Sequence, residues 1–228
     1  MKDSLGDFLK TIEREQNGET SSPENYLYMR IDGRSFSKLT SKMKRPFDMD
    51  FHFKMNELSL SLMEEFRPDI VMKQSDEISL LWKPVAPPSE IIFTGKKHKL
   101  LSLVPSYASS FLSLALSKVA TFDARMIETD KETSLKLLWW RYKDCTKNAI
   151  SQTASHFFSE KFLSNKSTNE RFDLIMDEGV WQNLPSDVTQ GYWLFKDQTE
   201  EKSVIRKIKI ESKIEYYSEF AIQFEKFL

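Results

Sequence analysis

Two short stretches carry residue types suited to a hard cation and a phosphate chain. In the first, the apolar run Leu27, Tyr28, Met29 and Ile31 ends in Asp32-Gly33-Arg34-Ser35. In the second, Ile70-Val71-Met72 leads into Gln74-Ser75-Asp76-Glu77, and Ile78, Leu80 and Trp82 lead out. The second pattern predicts a β-hairpin with the acid pair at its turn. Glycine at 33 lets the backbone approach a ligand closely. Alone, Asp-Gly is a common turn dipeptide and Ser-Asp-Glu a common solvated turn. Together, two carboxylates carried on separate strands beside free backbone amides suit a Mg²⁺–nucleotide site. Mg²⁺ takes one or two carboxylates plus substrate phosphates, and a two-metal site stabilises both the attacking and the leaving oxygen of a phosphoryl transfer. Period-two alternation turns Glu77 away from the side of Asp76.

Cations cluster in three places. Ser37–Asp50 holds Lys38, Lys42, Lys44 and Arg45. A solvated basic loop is the ordinary meaning of such a run. Its place directly after the Asp-Gly turn makes it a candidate phosphate clamp, Arg45 above all, because guanidinium grips phosphate in a bidentate way. Lys96, Lys97, His98 and Lys99 precede an apolar helix expected from about Lys99 to Val119. Cations at the positive end of a helix are unfavourable unless an anion binds there, which points to a phosphate. Arg141, Lys143 and Lys147 are interleaved with Trp139, Trp140 and Tyr142. That mixture serves RNA stacking or, equally, a helix with one buried and one solvated face. Cys145 reads as core, since a thiol nucleophile needs a nearby histidine and His156 lies nearly three turns on.

The elements that must position these residues follow from periodicity. Helices are expected over Leu5–Gln16, as an amphipathic packing element, and over Phe51–Phe66, with Phe51, Met55, Leu58, Leu62 and Phe66 on one face. Strand, helix and hairpin in this order make half of a split ferredoxin-like unit. Pro84–Glu90 is a loop. A strand follows over Thr121–Glu128, then a helix capped by Asp130 or Thr133. Helices over His156–Phe162 and Thr168–Met176, a loop over Trp181–Asp187, and a hairpin of Gly191–Lys196 with Val204–Ile210 complete the pattern. The tail Tyr216–Leu228 packs back as a helix or joins a subunit interface.

The 228 residues suffice for one large domain, and 40% hydrophobic content supports a sizeable core. Mean hydropathy is -0.48, and no run of about 18 apolar residues predicts a membrane span. The start of the chain has neither the apolar region of a secretory signal nor the Arg-rich, acid-poor character of a transit peptide. One cysteine fits a reducing compartment, expected to be the cytoplasm. No Cys/His spacing suggests zinc. The net charge of -1 argues against a non-specific nucleic-acid binder.

Several segments, in this order, resemble one family. They are RIDGRSF at 30–36, Arg45-Pro46-Phe47-Asp48, QSDEIS at 74–79, Phe93-Thr94-Gly95-Lys96 with Lys99, Phe122-Asp123-Ala124-Arg125, and Trp140-Arg141-Tyr142-Lys143-Asp144 with Asn148. The family is that of the tRNA-His guanylyltransferases and their template-dependent relatives, the 3′–5′ RNA polymerases. The resemblance implies an α+β fold: a mainly antiparallel palm-like, ferredoxin-like sheet with helices on one face. Residues 1–152 would be the catalytic domain and 153–228 a C-terminal extension packed on it. It implies two Mg²⁺ ions on Asp32, the Gly33 carbonyl and Asp76, the two aspartates being the catalytic residues. The nucleotide set would be Asp32, Gly33, Arg34, Ser35, Phe36, Ser37, Arg45, Ser75, Asp76 and Lys99, with the amides of 34–37 cradling the triphosphate. The RNA set would be Lys96, Lys97, Arg141 and Asn148. Asp123 is expected in a structural salt bridge. The implied activity adds nucleotides to the 5′ end of tRNA after ATP activates a 5′-monophosphate, with GTP or other nucleoside triphosphates as donors. The family also suggests a homo-oligomer, a dimer of dimers.

Three departures stand out. Where eukaryotic guanylyltransferases carry Asp-Cys-His-x-Asn-Asn, this chain has Thr146 for the His and Ala149 for the second Asn. Ser37 stands where those enzymes tend to carry His, and Arg45 where many members have a triphosphate-binding Lys. The pattern is closer to the template-dependent branch, which repairs 5′-truncated tRNAs. The alternatives are a guanylyltransferase restricted to tRNA-His and a nucleotide- or RNA-binding protein with a degenerate site.

Overall fold

The computed structural model describes residues 4–198, 203–210 and 213–228. Its described strands are β1 (Tyr26–Gly33), β2 (Ile70–Gln74), β3 (Glu77–Trp82), β4 (Phe122–Thr129), β5 (Tyr192–Gln198) and β6 (Ser203–Ile208). They form one antiparallel sheet in the order β4-β1-β3-β2-β5-β6. The described helices are α1 (Ser4–Asn17), α2 (Phe36–Leu39), α3 (Met49–Phe66), α4 (Lys97–Leu116), α5 (Lys131–Phe157), α6 (Glu160–Leu163), α7 (Thr168–Asp177), α8 (Ser186–Thr189) and α9 (Tyr217–Phe224). This is the expected α+β, palm-like arrangement.

Helices cover both faces of the sheet, not one. Alternation divides β1 between two cores. Leu27, Met29 and Ile31 pack with Val71, Ile78 and Leu80 under Leu58 and Leu62 of α3 and Val104, Ala108 and Leu112 of α4. Tyr26 and Tyr28 pack with Ile70, Met72 and Leu81 under Leu138 and Tyr142 of α5 and Phe220 and Phe224 of α9. A strand sandwiched on both sides reads as continuously apolar, and every residue of β2 is buried. By length and composition α4 is apolar enough to cross a membrane. Its stripe Leu100, Val104, Ala108 and Leu112 is fully buried, as in a core helix.

Local signals set the ends of the elements. Asp48 caps α3 by accepting from the Phe51 amide, and Arg67, at φ 50°, stops that helix before Pro68. Asp130 caps α5 through the Thr133 amide. That helix runs unbroken to Phe157, across the expected domain boundary at 152, and β5 pairs with β2 inside the sheet. Residues beyond 153 therefore complete the catalytic sheet and do not lie on it as an appendage. The connection between the expected hairpin strands Gly191–Lys196 and Val204–Ile210 falls mostly outside the described residues. The tail packs back as α9, with Phe224 4.7 Å from Trp193 between ring centroids. The expectation for α1 fails in one respect. Its helix forms, but Leu5, Phe8 and Leu9 are 50–65% exposed, so most of its apolar face is left uncovered among the described residues.

Candidate functional site

Strand pairing brings the two acid motifs together. Asp32 lies opposite Glu77 in the β1–β3 ladder. The Gly33 amide donates to the Asp76 carbonyl at 3.2 Å, and the Arg34 amide to the Thr121 carbonyl at 2.8 Å. The Asp32–Gly33 corner is thus pinned from both neighbouring strands. Ser75 and Asp76 form the tight turn between β2 and β3, with Ser75 at φ 48°. A Cβ at Gly33 would lie 2.5 Å from the Phe36 ring, so this close approach requires glycine. Phe36 is itself fixed between Phe51 and Phe122.

Burial, aided by the negative charge of Asp32 nearby, holds the Asp76 carboxyl above the ordinary carboxylate range. Two carboxylates close enough to repel are oxygen donors that suit a divalent cation. Among the described residues no cluster of three His, Cys, Asp or Glu side chains stands ready to hold a metal. Such a pair would suit a cation that takes its remaining ligands from phosphate oxygens.

A cavity of about 310 Å³ opens beside this corner. Ser37 lines it from α2, Thr40, Lys44, Arg45 and Asp48 from the segment that follows, Ser75 and Asp76 from the turn, and Asn148 and Gln152 from α5. Asp48 holds the loop by accepting from the Lys44 and Phe51 amides at 3.1 and 3.0 Å. Arg34, Lys38, Lys42 and Lys118 line a second, shallower groove across α2. The Arg34 amide is committed to Thr121, so of the expected cradle only the amides after it remain available. Helix α2 makes its first internal bond from Lys38 to Ser35.

The floor of the cavity holds three residues that sequence reasoning missed. Lys73, 1% exposed, places Nζ 2.8 Å from His52 Nδ1. His52 Nε2 lies 3.3 Å from Asp187 Oδ2, and Lys207 Nζ 3.4 Å from the same oxygen. Burial pulls the Lys73 amine down to about 7 and lowers His52 as well. The hydrogen bond from His52 holds Asp187 well below the carboxylate range. A neutral imidazole that accepts at Nδ1 from Lys73 and donates Nε2–H to Asp187 fits these distances, and Asn56 Nδ2 also donates to Asp187 at 3.3 Å. Lys73 gave a usable signal, a lone cation at the end of an apolar strand. Asp187 gave none, since it comes from a distant loop that folds as α8.

Other expected residues lie elsewhere. Glu77, which was set apart from Asp76, accepts a hydrogen bond from Gln74 Nε2 at 2.8 Å and forms ion pairs with Arg141 Nε at 3.1 Å and Arg30 Nε at 3.5 Å. Arg141 was expected on RNA, but it is 3% exposed and bridges Glu77 to Asp144. It is an internal counter-ion, because α5 lies flat on the sheet at this point. Asn148 donates to Asp144 at 3.3 Å and lines the cavity. Lys97 pairs with Glu128 at 3.1 Å and Glu19 at 2.5 Å, so carboxylates, not a phosphate, answer the basic start of α4. Glu128 is five strand positions from Asp123, which sits opposite Asp32, a separation of about 17 Å. Lys96, Lys97 and Lys99 therefore belong to the far end of the sheet, away from Asp76. Asp123 meets Arg125 at 3.3 Å, an exposed pair. Cys145 is buried, its thiol pushed up to about 12 by burial.

A palm-like antiparallel sheet that joins two acidic turns at the mouth of a cation-rimmed cavity defines a nucleotidyltransferase. Comparison with known proteins gives the particular family. The family model described as tRNAHis guanylyltransferase matches residues 6–133. The tRNA(His) guanylyltransferase of Schizosaccharomyces pombe is 31% identical over 190 residues, 73% of this chain and 71% of that one. A bacterial tRNA(His) guanylyltransferase (Thg1)-like protein solved in complex with GTP superposes with a TM-score of 0.80 at 26% identity, covering 99% of both chains. Such a protein solved in complex with ATP gives 0.78 at 26% identity, covering 89% of this chain and 92% of that one. This chain belongs to the tRNAHis guanylyltransferase family, whose members are tRNA nucleotidyltransferases.

Proposed function

We propose that this enzyme adds nucleotides to the 5′ end of tRNA in a Mg²⁺-dependent reaction and repairs 5′-truncated tRNAs. The observation that carries the proposal is the joining of the Asp32 and Asp76 turns at the mouth of the cavity. Asp32, Asp76 and the Gly33 carbonyl would hold Mg²⁺, which when bound neutralises phosphate charge and makes a hydroxyl more acidic. Ser37 and Ser75 donate to phosphate oxygens, and Lys44 and Arg45 at the rim neutralise the triphosphate, Arg45 in bidentate fashion. The relatives in complex with GTP and with ATP support both a donor and an activating nucleotide. A 5′-monophosphate attacks ATP and releases pyrophosphate, and the 3′-hydroxyl of the incoming nucleotide then displaces AMP from the activated end. The fixed turns orient the two reacting groups, the main contribution a protein makes to phosphoryl transfer.

The second reading is a guanylyltransferase restricted to tRNA-His. The family's own description favours it. The placement of Thr146 speaks against it, since this residue is 4% exposed and bonded to the Tyr142 carbonyl of its own helix, where eukaryotic members carry a histidine. The test offers Mg²⁺, ATP and all four nucleotides with two 5′-monophosphorylated tRNAs. One is tRNA-His without its extra guanosine; the other is a different tRNA lacking its first nucleotide. Extension of both, lost in Asp76→Ala, is the expected result. Extension of tRNA-His alone selects the second reading, and extension of neither overturns both.

A further inference from the structure

The chain from Ser35 to Lys44 has two sides, and the transfer chemistry uses only one of them. Ser37, Thr40 and Lys44 line the catalytic cavity. Lys38 and Lys42 line the groove on the other side, of about 460 Å³, which Arg34 and Lys118 complete. We propose that this second groove is a track for the RNA backbone. It grips the first few phosphates of the strand whose 5′ end reacts at Asp32 and Asp76. The inference rests on the proposed function and names where its RNA partner lies.

Charge selects a polyanion as the occupant. No carboxylate lines the groove. Other cations of the chain meet carboxylates: Lys54 meets Asp50, Lys97 meets Glu19 and Glu128, and Arg125 meets Asp123. Among the described residues Arg34, Lys38, Lys42 and Lys118 form no ion pair, and all four are exposed. In a chain of net charge -1, four unopposed cations around one groove are a local excess that repels itself and draws anions. A nucleic-acid strand carries a charge about every 3.4 Å of its axis, so it engages several of these cations at once. Val119, 83% exposed at the edge of the groove, adds an apolar contact for a ribose.

Geometry ties the groove to the reacting end. Arg34 follows Asp32 by two residues, about 7 Å of strand. At one charge per 3.4 Å or so, the second or third phosphate from that end falls at the groove. Both walls are fixed. The Arg34 amide donates to the Thr121 carbonyl at 2.8 Å, and the Lys118 amide to the Ser113 carbonyl at 3.2 Å. The Ala120 amide donates to Ser113 Oγ at 2.9 Å. The groove therefore keeps a constant offset from the Asp32 corner. The Arg34 side chain lines the groove and not the cavity, so its guanidinium serves an RNA phosphate, in bidentate fashion. Backbone contacts position a nucleic acid without reading its sequence, which suits repair of different truncated tRNAs.

The test measures equilibrium binding of a 5′-truncated, 5′-monophosphorylated tRNA over a series of salt concentrations. One variant combines Lys38→Gln, Lys42→Gln and Lys118→Gln; a second places Arg at the same three positions. In the Gln variant the slope of log affinity against log salt should fall by about one for each lysine lost, with GTP affinity unchanged. The Arg variant should keep the wild-type slope. A second tRNA carries uncharged methylphosphonates at the first linkages of its 5′ strand. The wild type should lose the same slope on it, and the Gln variant should lose nothing further. An unchanged slope in the Gln variant overturns the inference, and leaves the proposed function standing where the wild type extends both tRNAs. An equal fall in GTP affinity overturns it by making the groove a nucleotide site. Methylphosphonates that act only in the complementary strand overturn it as well. A wild type that neither binds nor extends tRNA overturns the proposed function, and the inference with it.

Discussion

The amide of Gly33 donates to the carbonyl of Asp76 at 3.2 Å, so the two acid-bearing turns form one hydrogen-bonded unit. Asp32 and Asp76 come from segments more than forty residues apart. The backbone bond fixes their spacing before any cation or nucleotide arrives.

Gly33→Ala would force the Phe36 ring away from its contacts with Phe51 and Phe122. Overpacking of this kind costs about 1–3 kcal/mol. Denaturant melts should show that loss, and primer-extension assays a larger loss of activity, because the shift reaches the Asp32 corner.

Asp76→Asn should abolish nucleotide transfer and yet raise the thermal midpoint of the metal-free protein near neutral pH. The folded-state pKa of Asp76 lies above its unfolded value, so its ionised form costs stability. That cost disappears as pH falls through the raised pKa, where folded Asp76 takes up a proton before the unfolded chain does. The midpoints of the two proteins should therefore converge in acid. A variant less stable than wild type at pH 7 would contradict the assignment.

Arg141→Met leaves Glu77 and Asp144 without their shared guanidinium. Removing one member of a buried ion pair costs about 3–5 kcal/mol. Urea unfolding should report this loss. A variant that kept full stability but lost RNA affinity would restore Arg141 to a surface role.

Lys97→Ala removes a cation that faces Glu19 and Glu128 at the end of the sheet away from Asp76. Titration with GTP should give an unchanged affinity. A tenfold weakening would place the start of α4 in the nucleotide site after all.

Lys73 gives a stability signature of its own. Its amine titrates near 7 in the fold and near 10.5 when unfolded. Between those values the unfolded chain holds the extra proton, so stability rises with pH on account of this residue. Relative to Lys73→Met, the wild type should gain stability from pH 7 to pH 10. A difference independent of pH would mean that the amine stays charged in its burial.

Strand and helix positions were readable from the sequence wherever one face repeats, as in Phe51–Phe66 and in the hairpin around Ser75-Asp76. The acid pair was readable because each member ends an apolar run. Three things were not. Residues beyond 153 supply β5 to the sheet, a pairing between segments over a hundred residues apart that no local pattern encodes. Arg141 looks like a surface cation by type, and only its contact with Glu77 across the helix–sheet interface shows otherwise. The basic start of α4 was matched to a phosphate because its partners Glu19 and Glu128 are distant in sequence. Helix α1 was read correctly as a helix, but amphipathicity alone does not say what covers its apolar face.

The sheet order leaves β4 as an outer strand that pairs on one flank only. Its alternating exposed positions include Asp123 and Arg125. Unpaired strand edges invite edge-to-edge aggregation, and charged side chains along them are a common protection. A further strand laid there would have to accommodate the charged Asp123–Arg125 pair. The sheet is in effect guarded against growth at its β4 flank, while Leu5, Phe8 and Leu9 of α1 offer an apolar surface that stays exposed among the described residues.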